Sequence, residues 1–231
     1  MIKKIIALIA ITLFAKAWNL YPTYPNYLKK RASLIKYFYF KAQTPQKIVA
    51  LSFDDGPNKH TKEIMQVLNY YNAPATFFLI GKNIKKNSYK LYQNPLFSVG
   101  MHTFNHDNFD KISPKKIDQD FAKNIATFNK NHLNTSFFRP AYGVVNSSIV
   151  KNLKTHNIKA ILWSNDTFDW DKKRRSFKRV VNNLKSGDII LMHDHATKPA
   201  ELANLIEDIK AKGFKIVSLE ELMRYKSTSP F

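Results

Sequence analysis

From residue 47 onward, short apolar runs of strand character alternate with amphipathic stretches of helical period. This alternation constrains the fold more than any other feature of the chain. Ile48–Phe53 reads as a strand, and Thr61–Tyr71 as a helix with Ile64, Val67, Leu68 and Tyr71 on one face. Ala75–Ile80 is a second strand, ended by Gly81, and Phe97–Met101 is a third that runs into His102. Ser113 and Pro114 open a helix as N-cap and first-turn proline, with Ile117, Phe121, Ile125 and Phe128 along its apolar face. Beyond it come an extended Ser136–Arg139, a helix at Ser147–Thr155 and a strand at Ala160–Trp163. A helix at Phe177–Leu184 and a strand at Asp188–Met192 follow. A helix at Ala200–Lys212, a strand at Phe214–Ser218 and a helix at Leu219–Tyr225 close the pattern. Units of this length predict an α/β fold in one domain, a parallel sheet or barrel with helices outside. In such folds chemistry collects at the carboxyl ends of the strands. Asp54, Asp55, His102, Arg139, the stretch Asp166–Trp170 and His193 all fall at those ends.

The chain has 231 residues, 44% of them hydrophobic, which is enough for a sizeable core. It contains no cysteine, so disulfides, thiolate nucleophiles and cysteine-ligated zinc are excluded. Its net charge of +20 would draw it to anionic polymers or lipid headgroups. No basic ribbon interleaved with aromatics accompanies that charge, so nucleic acid is not an expected partner. Lys172, Lys173, Arg174 and Arg175 form the one dense basic cluster. At the N-terminus, Lys3 and Lys4 precede an apolar run from Ile5 to Ala15, and Ala15-Lys16-Ala17 has the spacing of a cleavage site. Residues 1–17 therefore read as an export signal, with an uncleaved anchor as the alternative, and the expected location is periplasmic or extracellular. The apolar run is short of the roughly 20 residues that a span needs. Residues 18–46, with Pro22, Pro25, Pro45 and several tyrosines, read as a linker or packing arm ahead of a domain at 47–226.

Asp54 and Asp55 place two like charges at a strand end, where Gly56-Pro57 breaks the run. A divalent cation would compensate them: one carboxylate binds it and the other stays free to take a proton. His102 and His106 are four residues apart, and on a helical turn or helix-like loop that spacing points both rings the same way. Two histidines and a carboxylate form a facial ligand set that leaves positions open for water and substrate. Phe138–Gly143 adds an arginine and a glycine-terminated loop, and Ile189–His193 brings a further histidine to a strand end.

In this order the segments resemble the five motifs of the NodB-type polysaccharide deacetylases, carbohydrate esterase family four, over about residues 47–226. The resemblance implies a distorted (β/α) barrel of about seven strands and metal-dependent removal of acetyl groups from sugars. It implies Asp54 as catalytic base, and Asp55, His102 and His106 as ligands of one divalent ion, zinc first, with cobalt, nickel or manganese as alternatives. Arg139 resembles the arginine that holds the base, and Tyr142 stands where a backbone N–H meets the oxyanion. Asp169 resembles the residue that tunes the acid histidine, His193 the general acid itself, and Trp170 and Leu191 the walls of the acetyl pocket. Ser52 stands where threonine is usual and Ala141 where a second proline is common; neither departure removes a reacting group. The expected substrate is an N-acetylated polysaccharide such as peptidoglycan, poly-N-acetylglucosamine or a similar envelope glycan. An O-acetyl carbohydrate esterase and a catalytically silent carbohydrate-binding protein are the alternatives. A charge-driven binder of membrane surfaces or nucleic acid is a third. A monomer that associates with an anionic envelope surface completes the expectation.

Overall fold

The computed structural model describes residues 23–228, so the export signal expected at residues 1–17 lies outside the described residues. Among the described residues, no helix is long and apolar enough to cross a membrane. In chain order the strands are β1 (Phe38–Tyr39), β2 (Ile48–Gly56), β3 (Ala75–Leu79), β4 (Phe97–Met101) and β5 (Phe137–Phe138). They continue as β6 (Lys159–Ile161), β7 (Asn165–Asp166), β8 (Ile189–His193) and β9 (Lys215–Ile216). The helices are α1 (Thr23–Lys29), α2 (Ala32–Ile35), α3 (Thr61–Tyr70), α4 (Pro114–Lys130), α5 (Ser147–Thr155), α6 (Phe177–Asn182), α7 (Pro199–Ala211) and α8 (Leu219–Leu222). All seven expected strands form, together with β1 and β7, which the apolar pattern does not single out.

The strands lie in the order β1-β6-β5-β4-β3-β2-β8-β7, with β9 also on β2. Every ladder is parallel. The sheet curls into a half-barrel, the distorted (β/α) barrel expected, with its seam between β1 and β7. Leu162–Ser164 carries the chain across that seam. There the Leu162 N–H donates to the Tyr39 carbonyl (2.8 Å) and the Ser164 N–H to the Ile189 carbonyl (3.1 Å).

Strand alternation divides the core in two. On β2, Val49, Leu51 and Phe53 face the helix layer and join Ile64, Leu68, Phe121 and Leu202. Ile48 and Ala50 face the concave interior with Phe78, Ile161 and Ile189, and Leu219 and Leu222 of α8 pack against them. Helix α4 begins where expected: Ser113 accepts a hydrogen bond from the Lys116 N–H, and Pro114 opens the first turn. Its Ile117, Phe121 and Phe128 are buried, each contributing about 1.5–3 kcal/mol, so the apolar face rather than helix propensity holds it in place.

The segment read as a linker or packing arm packs on the domain through Leu28, Ile35, Phe38 and Phe40, while residues 43–46 lie at the surface. α1 and α2 lie against the barrel, and β1 adds an edge strand on β6. Lys41 and Asp188 form a buried ion pair (2.7 Å), and the Ala42 N–H donates to the Gly187 carbonyl (2.9 Å). Gly187 is obligatory at this crossing. Its φ is +84°, and a Cβ there would lie 2.0 Å from the Ala42 oxygen.

Candidate active site

The parallel strands end together at one mouth, and a cavity of about 390 Å³ opens there. Asp54, Asp55, His102, His106, Tyr142, Trp170, Leu191 and His193 all line it. Arg139 and Asp169, the remaining residues expected at the site, stand behind Asp54 and His193.

Alternation along β2 sends Ser52 and Asp54 inward, and it would send Asp55 outward into the helix layer. The ladder between β2 and β3 slips between Asp54 and Gly56, and Asp55 takes a left-handed conformation with φ +75°. This bulge turns the second carboxylate back to the same mouth. The two acids diverge by a bulge and not, as adjacency in a regular strand suggests, by simple alternation.

Arg139 is fully buried beneath the mouth. One guanidinium nitrogen donates to Asp54 Oδ1 (2.7 Å) and to Ser52 Oγ (2.9 Å). Its other nitrogens reach the carbonyls of Ile161 and Leu162 at 3.1 Å each, and its plane lies 4.0 Å over the Phe78 ring. Ser52 in turn donates to the Ile190 carbonyl (2.8 Å), so serine fills the place where threonine is usual without a loose polar group. Asp54 is thereby held with one oxygen on Arg139 and the other 3.7 Å from His102 Nε2.

The histidine pair is not on a helical turn. Residues 102–108 form an irregular loop in which Thr103 and His106 have φ of +58° and +67°. The Thr103 hydroxyl accepts a bond from the His106 N–H (2.9 Å), which folds the loop back so that both rings meet Asp55. His102 Nδ1 lies 2.8 Å from the Arg139 carbonyl, an acceptor only, so Nδ1 carries the proton and Nε2 presents its lone pair. Asp55 Oδ1 lies 3.5 Å from His102 Nε2 and 3.2 Å from His106 Nε2.

These separations match the edge of a tetrahedron with bonds of about 2.0–2.1 Å, roughly 3.3 Å. Asp55 Oδ1 is also buried with no hydrogen-bond partner among the described residues. A buried carboxylate oxygen left orphaned between two imidazole nitrogens fits a divalent ion. Burial pushes Asp55 up, but His102, His193, His106 and His195 outweigh that and hold it below the usual carboxylate range. Burial and His102 pull His106 down, which favours the neutral form that binds metal.

On the other side of the mouth, His193 Nδ1 bonds Asp169 Oδ1 (2.8 Å), and the His193 N–H donates to Asp169 Oδ2 (2.6 Å). Thr197 adds a third bond to that carboxylate (2.6 Å). Burial pulls the His193 imidazole down, but the bond and charge of Asp169, with Asp54 and Asp55 beyond, push it up to about 9. Tyr142 stands at the rim with φ +60°, its ring 4.8 Å from that of His106. Phe168, φ +51°, and Trp170 wall the opposite part, and Arg174 lies 5.0 Å over each ring.

Among the other residues lining this cavity, Asp166 falls in the stretch singled out at the strand ends, whereas the motifs do not reveal His195, Tyr24 or Trp163. His195 places Nδ1 3.6 Å from Asp55 Oδ2. The spacing His193-Asp194-His195 is the signal that could have found it. Asp166 is buried in the wall, where desolvation pushes it up to about 7 against the bond from the Phe168 N–H. Tyr24 and Trp163 come from the arm and from the seam, and nothing local marks them.

A parallel half-barrel that gathers a candidate ion site, a buried carboxylate on an arginine and a histidine on an aspartate at one mouth suits metal-dependent hydrolysis. The sequence model of the polysaccharide deacetylases matches residues 41–161. The peptidoglycan-N-acetylglucosamine deacetylase of Bacillus cereus is 33% identical over 210 residues, 86% of this chain and 99% of that protein. Among solved structures, the Bc1960 peptidoglycan N-acetylglucosamine deacetylase superposes with a TM-score of 0.71 at 28% identity, over 82% of this chain and 94% of that one. The chain belongs to the polysaccharide deacetylase family, carbohydrate esterase family four, and is a metal-dependent hydrolase of acetylated polysaccharide. The same fold, at TM-score 0.70 and 24% identity, is carried by the wild-type BA3943 pseudoenzyme of Bacillus anthracis, over 80% of this chain and 68% of that one. Fold alone therefore does not decide turnover, and the case for it rests on the residues at the mouth.

Proposed function

We propose that the chain removes the acetyl group from N-acetylglucosamine units of an envelope glycan, peptidoglycan first, with zinc at Asp55, His102 and His106. The observation that carries the amide reading is His193, held by Asp169 in the protonated state that a departing amine requires. A bound divalent ion supplies Lewis-acid polarisation of the acetyl carbonyl and a lowered pKa for water. Two imidazole nitrogens and a carboxylate suit zinc, with cobalt, nickel and manganese behind it.

In the proposed reaction Asp54, anchored by Arg139, takes the proton of the attacking water. Tyr142 presents its backbone N–H to the oxygen on which negative charge develops. His193 Nε2 then gives its proton to the amine nitrogen as the C–N bond breaks, leaving acetate and a free amino sugar. Leu191 and Trp170 enclose the acetyl methyl. Residues 1–17 act as an export signal, and the excess of 37 Lys and Arg over 17 Asp and Glu favours a polyanionic wall.

Acetate release from peptidoglycan and N-acetylglucosamine oligomers tests the activity, with the full chain stripped of metal and refilled with one ion at a time. Zinc-restored release from the N-acetyl substrates is expected. Release only from O-acetylated glycans would replace this reading with the esterase one.

A further inference from the structure

We propose that the arm ahead of the barrel contributes a residue to the active site. Tyr24 of α1 positions the turn that carries Tyr142 and walls the substrate cavity beside Trp163. The inference rests on the deacetylase reading of this mouth and assigns it a further positioning residue, one absent from the motifs and from the matched stretch 41–161.

Tyr24 lines the same cavity as Asp54, His106 and His193. Its hydroxyl donates to the Gly143 carbonyl (2.8 Å), 119 positions along the chain. Its ring stacks on Trp163 with centroids 6.2 Å apart and planes within 6°, and on Tyr27 at 5.8 Å and 11°. Tyr27 extends the contact, accepting from the Val145 N–H (2.8 Å), and Arg31 lies 3.7 Å over the Tyr27 ring and pairs with Asp110. The arm is thus fastened along residues 143–145, the segment directly after Tyr142.

The turn needs such a fastening. Tyr142 and Gly143 are both left-handed, with φ +60° and +67°. A non-glycine residue in that region persists where its surroundings over-determine it. Within the turn, the Gly143 N–H donates to the Pro140 carbonyl and the Val144 N–H to the Ala141 carbonyl, at 3.1 and 3.4 Å. The outside contact is close: a Cβ at Gly143 would lie 2.4 Å from the Tyr24 hydroxyl and 3.0 Å from Trp163. Tyr24 therefore fixes the backbone whose N–H faces the reacting carbonyl, and its ring closes the cavity over Trp163.

Steady-state kinetics of the zinc-loaded full chain on a soluble N-acetylglucosamine oligomer separate the two contributions. Tyr24→Phe keeps the ring and loses the hydroxyl; kcat should fall about five- to ten-fold, the worth of one hydrogen bond, with KM unchanged. Tyr24→Leu also removes the wall, so KM should rise about five-fold or more on top of that loss. Zinc affinity, measured by calorimetry, should be that of the parent in both variants, because Tyr24 touches no ligand. A parental kcat in Tyr24→Phe would overturn the positioning role, and a parental KM in Tyr24→Leu would overturn the wall. Should Tyr24→Leu fail to fold, Tyr24→Phe still decides the first. A parent chain that releases no acetate would instead overturn the deacetylase reading, and this inference with it.

Discussion

In the proposed reaction Asp54 meets two demands at once, to be held in a buried place and still to reach a water. Arg139 answers the first by holding Oδ1, which leaves Oδ2 at the mouth. Asp54→Asn keeps a hydrogen-bonding partner for Arg139 and removes the base. Acetate release should drop by about 10²–10⁴-fold while zinc still titrates into the apo protein with parental stoichiometry. His193 carries the opposite demand, to keep a proton. Its folded-state value is raised from 6.5 to about 9 despite burial, by Asp169. Catalysis that needs the imidazolium is therefore lost as pH rises through that value. The same group's contribution to stability is fully present below about 6.5 and fades as pH climbs through about 9. In Asp169→Asn the charge and one of the two accepting oxygens are gone, so the alkaline limb of the kcat/KM profile should move down by more than one pH unit. A limb that stays in place would remove Asp169 from that role.

Strands β2 and β8 place Asp54 and His193, whereas a bulge aims Asp55 and a loop aims His102 and His106. Of the non-glycine residues with positive φ, Asp55, Thr103, His106, Tyr142 and Phe168 cluster at this one mouth. Each such conformation costs of the order of 1–3 kcal/mol and stays because neighbours impose it. For His106 the neighbour is Thr103, whose hydroxyl accepts its N–H while the side chain is fully buried. Thr103→Val keeps the branched shape and loses that acceptor. Zinc affinity of the apo protein should weaken about 10–100-fold, the usual cost of losing a group that orients a ligand. Far-UV circular dichroism should be unchanged, and unchanged zinc affinity would show that the loop is held some other way.

At the scale of the molecule, the proposed ion site joins the ends of β2 and β4, so metal binding should be coupled to folding. Zinc at a hundred times its dissociation constant should add about 2.7 kcal/mol to stability. In a chain of this size that raises Tm by about 5–10 °C. A chelator should erase the shift, and Asp55→Asn should show none of it. A Tm indifferent to zinc in the parent would place the ion elsewhere. The curl of the sheet also brings the arm and the seam to the same mouth, which is how Tyr24 and Trp163 come to face His193.

The order of strands and helices was legible because it is written in local periodicity, and the Ser113-Pro114 helix start because a cap is a contact over three residues. The candidate site residues were legible as a set for a related reason: their types and order, at successive strand ends, match one family's motifs. Strand β1 went unread because two residues, Phe38 and Tyr39, carry no period, and β7 because Asn165 and Asp166 are polar. The side of β2 on which Asp55 lies, the loop that joins His102 to His106, and the place of His195 were settled only by the fold. A bulge or a left-handed residue is held by groups far along the chain, and adjacency along a strand gives the wrong face for Asp55. The sequence by itself determined which titratable and ligating groups the chain brings to its strand ends. The tertiary structure decided where they point, because that depends on contacts such as Tyr24 to Gly143 and Arg139 to Asp54, between residues 119 and 85 positions apart.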